Sequence, residues 1–364
     1  NQVLIKQAKL MASNPSERTI CARLMNDRFA LCLPREEFDE KRVADSIKEL
    51  QREFSGNSFH LHTYMGVYEI RDRDEAVSIM VDKANIAADT IKNNYDCCVA
   101  YYDEHLLEIS IEQRRLLGEF EPALQNDEFV MYLQPQVKRD GAAKGAEALV
   151  RWVHPSRGIL TPYAFIDILE NAGLIYKLDL YIWEKAAQKL AEWKEKGYGS
   201  YHISVNISTK DFYIIDIYET FTGLINKYGI AASNLHLEIT ETTLMTDFEK
   251  NMNIIHKLQG VGFRVEIDDF GSGYSSLNML KDISADVLKI DMGFLRKSEN
   301  EVKGQDILES IITLAGKIGM DVITEGVETK KQLDMLTMMG CHEFQGYYFS
   351  KPVPVSEFEE KYLV

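Results

Sequence analysis

From Glu128 onward the chain repeats one pattern eight times. A short apolar run is followed by a longer amphipathic stretch, and the runs are FVMYLQP, AEALVRW, HISVNIS, LHLEITE, FRVEIDD, DVLKID, DVITEG and EFQGYYF. Runs of this length, rich in β-branched and aromatic residues, read as strands; the stretches between them have helical period. Eight strands with mostly helical connections predict an α/β fold of the TIM type, a (β/α)8 barrel. An open doubly wound sheet is the alternative.

Nearly every run carries a polar residue at its C-terminal end: Gln134, Glu147, Asn206, Glu238, Asp268 with Asp269, Lys289, Glu325 and Gln345. Barrel enzymes place their chemistry at that face, with residues drawn from several strands. Any one of these has a simpler explanation, Asn206 or Asp269 as a helix cap and Lys289 as a solvated strand end. The set together does not. Five carboxylates (Glu147, Glu238, Asp268, Asp269, Glu325) converging on one rim would repel strongly unless cations neutralised them. Oxygen donors from carboxylates and one amide suit Mg²⁺ or Mn²⁺, whereas zinc favours His or Cys. The adjacent aspartates in VEIDDFGSGYSSL can serve two cations, and metals about 3.5–4 Å apart are a standard device for in-line phosphodiester hydrolysis. A lone lysine among acids is suited to hold the attacking water. The stretch FGSGYSSL either turns the backbone above the site and opens the next helix, or is a loop and cap alone.

The composition, 45% hydrophobic and 27% charged over 364 residues, is that of a soluble globular chain, and no apolar run has the length of a membrane helix. The chain begins at Asn1 and is read as a piece of a longer protein whose sensor segment lies upstream. A net charge of −16 argues against DNA or RNA duplex binding but admits a small anion where metals invert the local field. Five cysteines, an odd number with no C-x-x-C pair, predict neither a disulfide framework nor a zinc site, and point to the cytoplasm or the cytoplasmic part of a membrane-anchored protein. His60 and His62 alternate in FHLHTY as a polar strand face or a metal pair, with no further ligand spaced to join them.

The first region, residues 1–108, mixes helices (VLIKQAKLMA, EEFDEKRVADSIKELQREF, DEAVSIMVDKANIAADTIK) with strands (RTICARL, FALCLP, FHLHTYMGVYEI, CCVAYY), and antiparallel pairing is expected. Residues 109–125 read as a helical connector in which Pro122 sits in a first turn or breaks the run. The barrel is expected over 126–364.

At these residues the chain resembles the EAL domain family of cyclic diguanylate (c-di-GMP) phosphodiesterases. The signature is Glu147-Ala148-Leu149 in EALVRW, and YLQPQV, VNIS, LEITET, DDFGSGYSSL, LKID, EGVET and QGYYFSKP follow in family order. The resemblance implies a TIM-like barrel whose first strand is antiparallel to the rest. It also implies two Mg²⁺ or Mn²⁺ ions and hydrolysis of c-di-GMP to linear pGpG. Glu147, Asn206, Glu238 and Asp268 match ligands of one metal, and Asp268 and Asp269 those of the second. Lys289 matches the lysine that positions the attacking water, and Glu325 the glutamate that assists as base or holds that water. Gln134, Leu149, Arg151 and Gln345 match substrate-side positions, with Arg151 suited to a phosphate. Glu328 matches a supporting position, and Glu241 the glutamate that braces the loop beginning at Asp269. A homodimer through the barrel is implied by analogy. The other reading is a non-catalytic c-di-GMP receptor signalling to a partner protein. Glu266, on the same side of its strand as Asp268, is expected either to add a carboxylate beneath the metals or to pair with Arg264 or a connector residue.

The first region resembles a degenerate GGDEF (diguanylate cyclase) domain lacking its first strand. Met25-Asn26-Asp27-Arg28-Phe29 stands at the hairpin tip, with both glycines gone and Arg28 reversing the charge of the metal-binding acid. Ser16 and Thr19 occupy the places of the inhibitory Arg-x-x-Asp site. This implies a regulatory role without cyclase activity.

Overall fold

The computed structural model describes residues 2–12, 16–54, 61–92, 97–270, 283–293 and 301–363. His60 and most of FGSGYSSL fall outside them. The chain forms two compact units, Asn1–Leu116 and Leu117–Val364, each described by itself.

In the first unit β1 (Ile20–Arg23) and β2 (Phe29–Cys32) form an antiparallel hairpin, closed by the Leu24 N–H on Arg28 O and the Arg28 N–H on Met25 O. Strands β3 (Met65–Val67) and β4 (Val99–Tyr101) pair in parallel, which corrects the expectation of antiparallel pairing. Helix Val77–Asp89 lies between them in sequence, and a crossover of that length returns the chain in the same direction. Ile47 of helix Glu40–Phe54 packs with Cys98 and Val99, against Phe38, Val43, Met65 and Val67.

Helix Glu104–Gln125 contains the expected connector, and Pro122 neither starts nor breaks it but lies in its last turn. No helix among the described residues is long and apolar enough to cross a membrane.

The second unit is a closed eight-stranded barrel. Its strands are β5 (Phe129–Lys138), β6 (Ala143–His154), β8 (His202–Ile207), β9 (Leu235–Thr240), β10 (Val265–Phe270), β11 (Val287–Asp291), β12 (Asp321–Glu325) and β13 (Glu343–Phe344). β5 is antiparallel to both neighbours, β6 and β13, and the other pairs are parallel. The β5–β6 pairing closes the sheet and eliminates the open doubly wound alternative. Short strands β7 (Gly158–Leu160) and β14 (Val353–Pro354) extend β6 and β5.

Alternation along the strands sorts the residues. Leu235, Leu237 and Ile239 of β9, Ile203 and Val205 of β8, and Val265 and Ile267 of β10 are buried, as are Leu178, Ile182, Trp183 and Ala186 of helix Ile175–Glu195. The intervening residues are polar, and their hydrogen bonds join strands that are not neighbours: His202 of β8 to Gln136 of β5, Ser204 of β8 to Glu266 of β10, Lys289 of β11 to Glu147 of β6. Only side chains inside the barrel can meet in this way. The apolar core therefore lies between barrel and helices, and the lumen holds a polar column.

Gly346, after β13, shows how closely the closing turn is fitted. A Cβ there would stand 2.2 Å from the Val327 backbone oxygen, and backbone cannot step aside as a side chain can. Gly346→Ala is expected to lower stability by about 1–3 kcal/mol in urea unfolding. Gly118→Ala, in helix Glu104–Gln125 with nothing within 4 Å of the added carbon, is expected to leave stability unchanged or raise it.

Candidate active site

Lys289 lies in the middle of β11, where it is fully buried. Its Nζ lies 2.7 Å from Glu325 Oε1, 3.0 Å from Glu238 Oε2, 3.3 Å from Glu147 Oε2 and 3.4 Å from Asp268 Oδ1. These acids come from β12, β9, β6 and β10, so parallel strands bring residues up to 178 positions apart to one ammonium. Burial alone would lower the lysine pKa, but Asp268, Glu147, Glu238 and Glu325 outweigh it and hold the group well above its usual value. Lys289 is therefore a fixed cation.

One ammonium does not neutralise four carboxylates. Burial, with Glu147 next in effect, drives the Glu238 pKa well above the carboxylate range. Burial pushes Glu325 up to about 8, against the opposing pull of Lys289. Both Glu238 oxygens and Glu325 Oε1 are buried without an aligned hydrogen-bond donor, although Lys289 is close to them. Proximity here supplies charge without hydrogen-bond direction.

Glu147 is the best-anchored acid. Its Oε1 accepts from Asn206 Nδ2 at 3.2 Å, and its Oε2 accepts from Gln345 Nε2 at 2.6 Å and from Lys289. Gln345 Nε2 also donates to Gln134 Oε1 at 3.2 Å, and Gln134 Nε2 reaches Ser350 O at 3.4 Å. The closing strand is thus wired into the acid cluster by two amides.

Adjacent strand residues normally face opposite sides, yet Asp268 and Asp269 both belong to the rim. The register between β10 and β11 shifts between Ile267 and Phe270, and Asp269 has a left-handed backbone, φ 56°. A bulge of this kind re-aims side chains, and Asp is among the non-glycine residues that enter the left-handed region most readily. Here the Asp269 N–H donates to Asp268 Oδ1 at 2.9 Å. Burial raises the Asp269 pKa, with Asp268 and Asp291 adding to it. Asp291, at the end of β11 beside Glu325 in register, was missed in the sequence reading. Period two from Lys289 was the signal that could have found it.

Leu149 and Arg151 follow Glu147 on β6, both partly exposed. The Arg151 guanidinium lies 5.5 Å from the Tyr132 ring centre and donates to the Val150 carbonyl. Burial lowers its pKa, with Tyr132, Tyr347 and Glu147 opposing. Glu328 stands exposed before helix Lys330–Met338, with its N–H on Gln332 Oε1. Glu241 opens helix Glu241–Thr246, and the loop it is expected to brace falls outside the described residues. Glu266 pairs with neither Arg264 nor a connector residue. Its Oε1 accepts from His236 and Ser204, while Arg264 pairs with Asp321.

Comparison with known proteins fits this geometry. The family profile of the EAL domain matches residues 118–352. The chain belongs to the EAL domain family. It is 30% identical to the bifunctional diguanylate cyclase/cyclic di-GMP phosphodiesterase MucR of Pseudomonas aeruginosa over 98% of this chain and 53% of the relative. It is 33% identical to the cyclic di-GMP phosphodiesterase PdeR of Escherichia coli over 66% of this chain and 36% of the relative. The chain thus spans about half the length of MucR, and less of PdeR. Among solved structures, the PaMucR phosphodiesterase in complex with c-di-GMP superposes with TM-score 0.64 at 33% identity, covering 67% of this chain and 99% of that one. The Xanthomonas citri FimX EAL domain, in complex with c-diGMP, shares the fold at TM-score 0.62 and 22% identity.

EAL domains are in general divalent-metal dependent. The rim fits that requirement on its own chemistry. Its donors are carboxylate and amide oxygens, the set that hard cations prefer. The buried Glu238 carboxylate lacks aligned donors, and the acids exceed the one ammonium among them.

The raised Glu325 pKa sets a pH dependence. The proton it retains in the fold stabilises fully below about pH 4.5, and that contribution is lost as pH rises through about 8. In EDTA, stability is expected to fall across this window. Glu325→Gln, permanently neutral, is expected to flatten the fall, as urea midpoints at about pH 5, 7 and 9 will read.

Proposed function

We propose that this chain hydrolyses one phosphodiester bond of c-di-GMP to linear pGpG, with two Mg²⁺ or Mn²⁺ ions at the barrel rim. The observation that carries the reading is the convergence of Glu147, Glu238, Asp268 and Glu325 on Lys289, in a chain whose EAL relatives are named cyclic di-GMP phosphodiesterases.

Glu147, Asn206, Glu238, Asp268 and Asp269 would hold the ions, which supply Lewis-acid stabilisation of charge on the phosphoryl oxygens. Lys289, held among the four acids, would orient the attacking water toward phosphorus. Glu325, 2.7 Å from the Lys289 ammonium, is positioned to accept a proton from that water when bound cations keep it ionised. The Gln134–Gln345 amide pair keeps Glu147 in one rotamer. Arg151, stacked on Tyr132 with further N–H donors, binds a non-bridging phosphate oxygen. The first unit serves a regulatory role without cyclase activity, because Arg28 and Asn26 stand where a cyclase tip needs an acid and a glycine. The odd cysteine count without a C-x-x-C pair supports a cytoplasmic setting, and the family resemblance supports a homodimer through the barrel.

The alternative, a receptor that binds c-di-GMP without cleaving it, is disfavoured because the acid set is complete at the rim. Turnover of c-di-GMP to pGpG by the full chain with Mg²⁺ or Mn²⁺, and its loss in EDTA, tests the reading. Glu147→Gln and Asp268→Asn are each expected to cut kcat by at least about 100-fold, and Lys289→Ala comparably. Arg151→Ala is expected chiefly to raise KM, by about tenfold. Stoichiometric binding with no pGpG formed would establish the receptor instead.

A further inference from the structure

Outside the barrel, a buried pair of acids holds the turn that follows Asn206, and the proposed reaction does not touch it. Asp211 is fully buried at the start of helix Asp211–Ile214. Asp179 lies in the second turn of helix Ile175–Glu195, and its carboxyl is in hydrogen-bond contact with that of Asp211. Asp179 Oδ2 and Asp211 Oδ1 are both buried, and among the described residues no N–H or hydroxyl reaches either. The charged groups around the pair do not neutralise it. Glu170 of helix Ile166–Ala172 adds negative charge, and the Lys210 ammonium donates to the Glu170 carbonyl instead. Two carboxylates in contact and away from water cannot both ionise without strong repulsion, whereas one proton between them turns repulsion into a hydrogen bond.

We propose, on the reading of Asn206 as a metal ligand, that Asp179 and Asp211 share one proton and act as positioning residues that fix the end of β8 and with it the Asn206 amide. The place of the proton follows from the donors. Asp211 Oδ2 accepts from the Ser208 N–H and from Ser208 Oγ, each at 2.8 Å, and such donors favour the ionised form there. Asp179 therefore carries the proton and donates it to Asp211. Burial, with Asp211 next, raises the Asp179 pKa well above the carboxylate range, in accord with this assignment. Burial raises that of Asp211 too, with Ser208 and Asp179 opposing.

Helix Ile175–Glu195 reaches the end of β8 at two points. Ser208 lies two residues beyond Asn206, and the Asp211 N–H closes the turn on Ser208 O at 3.2 Å. Trp183, four residues after Asp179 and on the same helix face, donates Nε1 to the Asn206 carbonyl at 2.9 Å. One helix face thus holds both the Asn206 backbone and the turn after it. On the lumen side the Asn206 amide donates to Glu147 Oε1 at 3.2 Å and keeps its oxygen for a cation. That oxygen is the neutral donor of the ligand set, so its contribution depends on orientation by outer partners. Loss of the acid pair releases the Ser208 turn and lets the amide swing away from the rim.

Mn²⁺ binding to the full chain, read by calorimetry, tests the proposal without relying on turnover. Asp179→Asn, whose amide donates as the protonated acid does, is expected to keep the wild-type affinity. Asp179→Ala is expected to weaken it by about 10–100-fold, and Trp183→Phe, which removes the donor to the Asn206 carbonyl, to weaken it in the same direction. Hydrogen exchange at the Ser208 amide, measured in EDTA, is expected to speed up in Asp179→Ala and not in Asp179→Asn. An infrared difference spectrum of wild type minus Asp179→Asn, also in EDTA, is expected to show the carbonyl band of a protonated carboxyl. Where Asp179→Ala does not fold, Trp183→Phe and the infrared band decide. Absence of that band, or an Asp179→Asn chain as impaired as Asp179→Ala, would overturn the shared proton. An Asp179→Ala chain with lowered Tm but wild-type Mn²⁺ affinity would overturn the positioning role and leave the pair structural. A wild-type chain that binds no Mn²⁺ would overturn the metal reading itself and the positioning role with it, so the wild-type titration tells the two failures apart.

Discussion

A single ammonium, that of fully buried Lys289, has to answer for four carboxylates that are themselves mostly removed from water. Removing any one of these charges from water is costly unless partners replace hydration. The barrel meets that cost by closure. The strands are staggered, with Glu238 opposite Glu266 rather than Asp268 and Lys289 opposite Ile323 rather than Glu325, and that stagger brings Glu147, Glu238, Asp268 and Glu325 to one ammonium. The excess of acid is then accommodated by protonation, seen in the raised pKa values of Glu238 and Glu325, or by divalent cations. The same imbalance that makes the lumen costly makes it a cation site.

The lumen is polar at more than one level, which is unusual for a barrel of this size, where branched apolar residues generally fill the interior. Glu266 sits two residues before Asp268 on β10 and pairs in register with Glu238, yet its hydrogen-bond partners, His236 and Ser204, belong to the level below. One strand therefore contributes to two polar levels of different chemistry. Hard oxygen donors gather at the C-terminal rim, and imidazoles gather at the N-terminal mouth. The apolar work of stabilising the fold is left to the outer side of the strands, where Leu235, Leu237 and Ile239 are buried.

Local backbone geometry decides details that packing does not. At the end of β10 strict alternation would send Asp268 and Asp269 to opposite faces. The register shift and the left-handed Asp269 place them at the same rim instead. The amide pair of Gln134 and Gln345 fastens the last strand to the first and to Glu147, so closure of the barrel and orientation of a candidate ligand are one event.

The sequence by itself determined the number of barrel strands, their order along the chain and the polar residues that interrupt them, although Gln134, Glu147 and Lys289 lie inside their strands rather than at the ends. Period two and period 3.6 are local properties, and the rim acids show in the sequence as polar breaks within or at the end of the apolar runs. The distance between those acids, the position of Lys289 among them and the redirection of Asp269 were decided by tertiary structure, because they depend on shear, register and a bulge. The same holds for His202, His236 and Glu266. Each lies within an apolar run where local pattern assigns it only a face, and 64 residues separate the first from the last. The parallel pairing of β3 with β4 was likewise invisible to alternation, which is the same in both directions. What the chain alone cannot encode locally is which interior residues meet across the lumen, and that depends on the barrel being closed.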